Sequence, residues 1–513
     1  MGAFIYGDHL TASRALAITR GDVKAELGQQ HLDKIRQSRR IVSEIAQGDA
    51  VVYGINSGFG PLCTTKISPE QTQALQTNIL KSHSVGVGAP IPIEIAKLML
   101  ILKAQSLSLG YSGVRVTTLE RILWHINHDI IPIVPSQGSV GASGDLAPLA
   151  HLFLPLIGLG QVSYQGSVVE TGKMLQKEGI NPLELAPKEG LALINGTQLM
   201  AAFGIRVLQD FHRCLSQADF IAAIMLESLL GSAQPFMSQL HRLRPHQGAL
   251  HVAARIRSLL KGSAIVESHE NCERVQDPYS LRCIPQVHGA SRAAWLHLKQ
   301  TLEIEINSVT DNPVIINNDL AISGGNFHGQ PLALPLDYAC LAAAELGSIS
   351  DRRIYLSLDG TVTGLPRLLM KETGLNSGFM ILQYTSAALT SENKSMCFPA
   401  SADSVPTSLG QEDHVSMGSI SGRKALKVIK NLEAILAIEL LCACQGLDFR
   451  RPLKTTKALE EIHRSVRKEI SHATEDRIFG KDIESARQLL EQGFILKWNH
   501  VLDSEYFDLF EVF

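Results

Sequence analysis

Aromatic residues make up only 5% of this sequence, and neither sign of charge is in excess. Lys+Arg at 47 against Asp+Glu at 50 leaves a formal charge of −3, so there is no global field to gather nucleic acid or an anionic membrane, and neither is expected as a partner. The most apolar stretches, Leu152 to Leu159 and Phe220 to Leu230, are interrupted or fall short of the roughly 20 residues that cross a bilayer. No transmembrane segment is expected. The eight cysteines are scattered, and the Met-Gly-Ala-Phe start lacks a basic flank with an apolar stretch behind it. A secreted disulfide scaffold is therefore disfavoured and a reducing, cytoplasmic setting is expected. Cys442 and Cys444 would point to different faces of a helix, and neither Cys-x-x-Cys nor His-Glu-x-x-His occurs. No metal site is expected. No Gly-x-Gly-x-x-Gly follows a strand and no Walker loop is present, which removes the signatures of an external nucleotide cofactor.

With 45% hydrophobic and 19% charged residues, the chain is set to fold. Its 513 residues would make about three to four domains by length alone, but the apolar periodicity points to a mainly α fold with long helices. From Pro331 onward, Leu332, Leu336, Ala339, Ala343 and Leu346 share a single helical face. After Gly422, Ala425, Val428, Leu432, Ile435, Leu440 and Ala443 form a second stripe, with Lys424, Lys427 and Lys430 off it and Gly446 as the expected stop. Leu199 to Leu230 and Gln286 to Val309 read the same way. The expected organisation is an N-terminal lobe over residues 1–200 and a long-helix bundle over 201–513. Strands are limited to small hairpins, Val162 to Tyr164 with Ser167 to Val169, and Val314 to Ile316 with Leu320 to Ser323. Gly and Pro concentrate in Tyr53 to Pro61, Val85 to Pro92, Pro135 to Pro148 and Gly324 to Pro331, loops of the kind that carry chemistry on a rigid scaffold.

Within these loops, Gly138-Ser139-Val140-Gly141-Ala142-Ser143-Gly144-Asp145-Leu146-Ala147-Pro148-Leu149 is the most informative segment. Gly144 has no side chain to keep its amide nitrogen from the carbonyl carbon of Ala142. Attack of that nitrogen closes a five-membered ring. Loss of two waters, one of them from the Ser143 side chain, then leaves an exocyclic methylidene conjugated to an imidazolone, an electrophile made from the chain itself. The bland alternative for a bare Ala-Ser-Gly is a turn entering a helix or a phosphate-cradling loop.

The full segment resembles the signature of the aromatic amino-acid ammonia-lyases. So, in the family's order, do Tyr53-Gly54-Ile55-Asn56-Ser57-Gly58-Phe59-Gly60, Asn195-Gly196-Thr197-Gln198, Gln276-Asp277-Pro278-Tyr279-Ser280-Leu281-Arg282, Gly324-Gly325-Asn326-Phe327-His328-Gly329 and Gln411-Glu412-Asp413-His414-Val415-Ser416. The resemblance implies an all-helical homotetramer with active sites shared between subunits. It also implies a 4-methylidene-imidazol-5-one group formed from Ala142, Ser143 and Gly144, with no external cofactor. The amine of a small zwitterionic substrate would add to that methylidene and leave as ammonia.

Ser82-His83 ahead of Gly86-Val87-Gly88 is similar to the members that act on histidine, and Glu412 stands where members acting on phenylalanine typically carry Gln. A carboxylate and a histidine can hydrogen-bond an imidazole in ways that a phenyl ring cannot reward. The expected reaction is therefore L-histidine to trans-urocanate and ammonia, with tyrosine or phenylalanine lyases and aminomutases of the same family as the alternative. By the same resemblance Tyr53, with Glu412 as competitor, removes the β-proton, and Tyr279 joins them as a catalytic residue. Arg282 clamps the substrate carboxylate, His83 addresses the imidazole, and Gln276, Asn195 and Phe327 orient the reactants. His288, His328 and His414 are expected to be structural. A catalytically silent helical scaffold and an aspartase-like lyase are the more distant readings.

Overall fold

The computed structural model describes residues 3–513 apart from 61, 62, 64, 65, 271–273, 318, 319 and 362. It is mainly α, and its long elements follow the apolar stripes. All five stripe residues after Pro331 are fully buried in the helix Gln330–Asp359, and all six after Gly422 are fully buried in Gly418–Asp448. The other two long periodic segments form Gln198–Ser228 and Ile284–Glu305. Gly446 does not stop its helix, which continues to Asp448. Its bare Cα instead admits Ser228, which a Cβ at this position would meet at 3.0 Å. The helix Gln330–Asp359 is long and apolar enough to cross a membrane by length and composition, yet 67% of its most apolar window is buried inside the protein, as befits a core helix.

Both hairpins form. Val162 pairs with Val169 and Tyr164 with Ser167 around a turn in which Gln165 and Gly166 take φ of 50° and 78°, the left-handed geometry that a two-residue hairpin loop demands. Val314 pairs with Ile322, while Asn318 and Asp319 of that turn lie outside the described residues. The short strand Ile131–Pro132 adds a third strand to the first hairpin. Two of the Gly/Pro loops also pair with each other, Val87–Pro90 running antiparallel to Pro135–Gln137. This ties the segment after His83 to the one that leads into Ser143.

The chain divides into two compact units. The first contains residues 1–206, 298–337 and 399–423, so three stretches from within 201–513, namely 201–206, 298–337 and 399–423, fall in it. Its central element is Ile93–Ser108, buried without interruption from Ile95 to Ser108, with Lys97 and Lys103 included. The second unit contains residues 207–297, 338–398 and 424–513. Its interior holds an ion network. Arg292 and Arg255 reach Asp219 at 2.6 and 2.7 Å and Glu511 at 2.7 and 3.0 Å, and all four side chains are fully buried. His288 and His251 complete the network on Asp219 and Glu511. Burial opposes ionisation of the two carboxyls, but the guanidinium groups win and hold both well below the usual carboxylate range. The seven cysteines among the described residues are free thiols, and burial pushes those of Cys442 and Cys444 up, leaving them unreactive. Among the described residues no cluster suited to a metal ion occurs.

Candidate active site

The segment around Ser143 is gripped chiefly through its main chain. Gly196 N donates to Ser143 O at 3.3 Å, and Asp145 N donates to Gly196 O at 2.8 Å, which leaves the nitrogen of Gly144 out of this bridge. Gly144 has φ of +75°, and a Cβ there would lie 2.1 Å from Gly196 O. Only glycine satisfies both the backbone conformation and the approach. On the other side Met417 N donates to Val140 O at 2.9 Å and Ser419 Oγ donates to Ser139 O at 2.9 Å. Ala142 packs with Val415 and Met417 in a small apolar cluster.

Asp145 is fully buried, and its Oδ2 accepts from Leu199 N and Met200 N at 3.0 Å each. It therefore caps not the helix it precedes, Leu146–Phe153, but the long helix Gln198–Ser228, where unpaired N–H groups and the helix dipole favour an anion. Burial outweighs these hydrogen bonds and raises the Asp145 carboxyl to about 7. Sequence reasoning missed this residue, although an Asp following Ser-Gly was an available signal for a cap.

The triad opens on a cavity of about 450 Å³ in the first unit, lined among others by Tyr53, His83, Ser143, Asn195 and Glu412. Five of the residues expected from sequence thus meet from five separate segments. Ser143 Oγ donates to Glu412 Oε1 at 2.9 Å, while Glu412 Oε2 accepts from Thr407 Oγ1 at 3.0 Å and Ser408 Oγ at 2.8 Å. Three hydroxyl donors suit an ionised carboxylate. Asn195 donates from Nδ2 to Asn312 O at 2.8 Å, so its amide is held in place. Leu75, Ile79, Leu146, Leu191 and Ile194 supply the apolar part of the wall. Thr407, Ser408 and Asn312 are further residues that sequence reasoning missed, and nothing in their local pattern singled them out.

The electrostatics of the cavity favour neutral rings beside one anion. Burial pushes the Tyr53 phenol up, and the charge of Glu412 adds to the effect against a weak hydrogen bond from Gly60 N at 3.5 Å. Burial also lowers His83, only partly offset by a main-chain carbonyl and by Glu412. The His83 Nδ1 lies 3.0 Å from Ser82 Oγ. A neutral imidazole has one donor and one acceptor nitrogen. Among the described residues that line the cavity there is no Lys or Arg.

The remaining expected residues lie elsewhere in the chain. Gln276 and Arg282 line a different cavity, within the second unit. Tyr279 is 70% exposed, with the Arg282 guanidinium 4.5 Å from its ring centroid. Arg282 Nε donates to Asp277 O at 2.9 Å, leaving the rest of its fork available. Phe327 is half-buried in the first unit and is not among the residues lining the Ser143 cavity. His328 and His414 stack on one another at 5.9 Å, while His288 is fully buried in the ion network of the second unit.

Comparison with known proteins agrees with this geometry. A family model described as aromatic amino acid lyase matches residues 10–468. A histidine ammonia-lyase of Myxococcus xanthus (strain DK1622) is 45% identical over 493 residues, covering 96% of this chain and 97% of that protein. The crystal structure of histidine ammonia-lyase from Trypanosoma cruzi superposes with a TM-score of 0.91 at 39% identity, over 100% of this chain and 98% of that one. The tyrosine aminomutase of Streptomyces globisporus does so with a TM-score of 0.92 at 35% identity, over 98% of each chain. With its signature segment folded against Gly196 and its relatives matched end to end, the chain belongs to the aromatic amino acid lyase family.

Proposed function

We propose that the chain eliminates ammonia non-oxidatively from L-histidine to give trans-urocanate, as a carbon-nitrogen lyase opening histidine degradation. The observation that carries this reading is the meeting of His83 and Glu412 with Ser143 in one cavity. Those two groups present a neutral imidazole and a carboxylate to a substrate ring that needs hydrogen-bond partners. The similarity to relatives named as histidine ammonia-lyases supports the same substrate.

Ala142, Ser143 and Gly144 fit a 4-methylidene-imidazol-5-one group. Gly144 leaves no room for a side chain, its nitrogen is not used in the bridge to Gly196, and the Ser143 hydroxyl that must depart as water faces the cavity. Such a group supplies an electrophile that makes the substrate nitrogen a better leaving group. Departure of the Ser143 hydroxyl removes a donor from Glu412 Oε1, which turns that oxygen toward the cavity as an acceptor for an imidazole N–H. Thr407 and Ser408 keep hold of Oε2 and so fix the carboxylate. Tyr53, held protonated at rest by burial and by Glu412, stands as the β-proton base, with Glu412 as its competitor. Asn195 orients the substrate from a fixed amide.

A zwitterionic substrate also needs a cation for its carboxylate. Among the described residues lining the Ser143 cavity there is no Lys or Arg, whereas Arg282, Gln276 and the exposed Tyr279 cluster in the second unit. A homotetramer in which one copy presents these residues to the cavity of another supplies the missing clamp. Phe327 would then act beside the ring. Exposed apolar side chains on the helix Gln330–Asp359, including Leu334, Tyr338 and Leu341, offer surface for such an assembly. The setting is cytoplasmic, with no external cofactor.

The test is a spectrophotometric assay offering L-histidine, L-tyrosine and L-phenylalanine separately. Urocanate from histidine alone is expected. A tyrosine aminomutase is the second reading, favoured by the structural likeness to that enzyme, and a β-amino acid product would establish it instead.

A further inference from the structure

Lys103 is a charged side chain that the catalytic reading leaves unused. It projects from the buried helix Ile93–Ser108, is 2% exposed, and makes no ion pair among the described residues. Its ammonium instead donates to Ala192 O at 3.2 Å and to Asn195 O, the open carbonyls at the end of the helix Glu189–Ile194. Desolvation opposes the burial of an ammonium and lowers this one to about 7, with Asp311 and Asp145 favouring its charge and Lys188 opposing it. Its hydrogen bonds nonetheless go to the two carbonyls and to neither carboxylate, so the position of this donor calls for an explanation.

The peptide that joins Asn195 to Gly196 supplies one. Its oxygen accepts from Lys103, and its N–H, on Gly196, donates to Ser143 O at 3.3 Å. A cation on the oxygen of a peptide draws electron density toward that end and strengthens the N–H at the other as a donor. When Gly144 N closes on the Ala142 carbonyl, Ser143 C and O become the carbonyl of the ring, conjugated with the methylidene carbon. A donor aimed at that oxygen stabilises the charge it takes up as the electrophile is used.

We propose that Lys103 is a positioning residue that acts through the Asn195–Gly196 peptide to hold and polarise the Ser143 carbonyl, and so sets the electrophilicity of the group formed there. This rests on the proposed methylidene-imidazolone. Lys103→Met keeps the length and removes the charge and the donor; Lys103→Gln restores a neutral donor. In Lys103→Met the intact mass is expected to retain the deficit of two waters, and the near-ultraviolet band of the ring shifts. The kcat for histidine falls about tenfold while KM stays within about twofold, and Lys103→Gln recovers part of both kcat and band position. A Lys103→Met protein with unchanged kcat and band overturns the proposal. So does a fall in kcat with an unshifted band, which marks a structural role, or a mass without the deficit, which moves Lys103 to ring formation. If Lys103→Met does not fold, the same readouts on Lys103→Gln decide: a shifted band with reduced kcat supports the proposal and wild-type values overturn it. Wild-type protein lacking the mass deficit overturns the ring and this inference together.

Discussion

Ser143 Oγ donates to Glu412 Oε1 at 2.9 Å across 269 positions of sequence, joining the residue that would be consumed in making the electrophile to the residue that would recognise the substrate. Ser143→Ala removes the hydroxyl and with it the methylidene carbon's route of formation. Intact mass should show no two-water deficit, and turnover should fall by orders of magnitude, about 10³ or more. The circular dichroism spectrum should be unchanged, because the loop is held by main-chain bonds. Full activity in Ser143→Ala would sink the mechanism.

Gly144→Ala meets two obstacles, a φ of +75° and a Cβ placed 2.1 Å from Gly196 O. Backbone strain alone costs about 1–3 kcal/mol, and the contact forces the loop away from the start of Gln198–Ser228. Thermal unfolding should shift downward and the two-water deficit should be lost. A variant that kept both stability and the mass deficit would contradict the close approach.

His83→Leu replaces a neutral imidazole by an apolar side chain in the cavity wall. The kcat/KM for histidine should fall roughly 10–100-fold, the size of a lost buried hydrogen bond. Inhibition by glycine, which shares only the amino-acid backbone, should hardly change. Equal damage to both would mean that His83 shapes the cavity rather than reading the ring.

Glu511→Ala leaves Arg292 and Arg255 with Asp219 alone for counter-charge, and so with an uncompensated buried charge. The loss should be about 3–5 kcal/mol, measured by denaturant unfolding, with the Ser143 cavity untouched. Because the folded-state pKa values of Glu511 and Asp219 are depressed, their contribution is fully present above the ordinary carboxylate range of about 4 and is lost as pH falls below it. Wild-type stability should therefore drop steeply in acid, and the variant's should drop less. A variant with the wild-type acid slope would remove Glu511 from the account.

The helices were legible because burial imposes periodicity. Every stripe residue named between Leu332 and Leu346 and between Ala425 and Ala443 is buried. The site was legible in part. Tyr53, His83, Ser143, Asn195 and Glu412 line one cavity, whereas one chain does not bring Gln276, Tyr279, Arg282 or Phe327 to it. Interactions between distant segments left no local trace. Asp145 looks like the cap of its own helix and serves another. Lys103 sits in an apolar run and reads as a polar interruption. Gly446 looked like a stop because a glycine's backbone role and its packing role are indistinguishable until the neighbour, here Ser228, is known.

The pairing of Ser143 and Asp145 with Gly196 uses only main-chain atoms, and its bonds therefore do not depend on which side chains line the cavity. The rest of the cavity wall is assembled from other segments, at His83, Tyr53 and Glu412. The proposed source of the electrophile and the proposed partners of the substrate ring thus sit on separate segments. Exchanging the wall is a route to accepting a different amino acid while the reactive loop stays as it is, and one scaffold can serve several substrates without rebuilding its reactive centre.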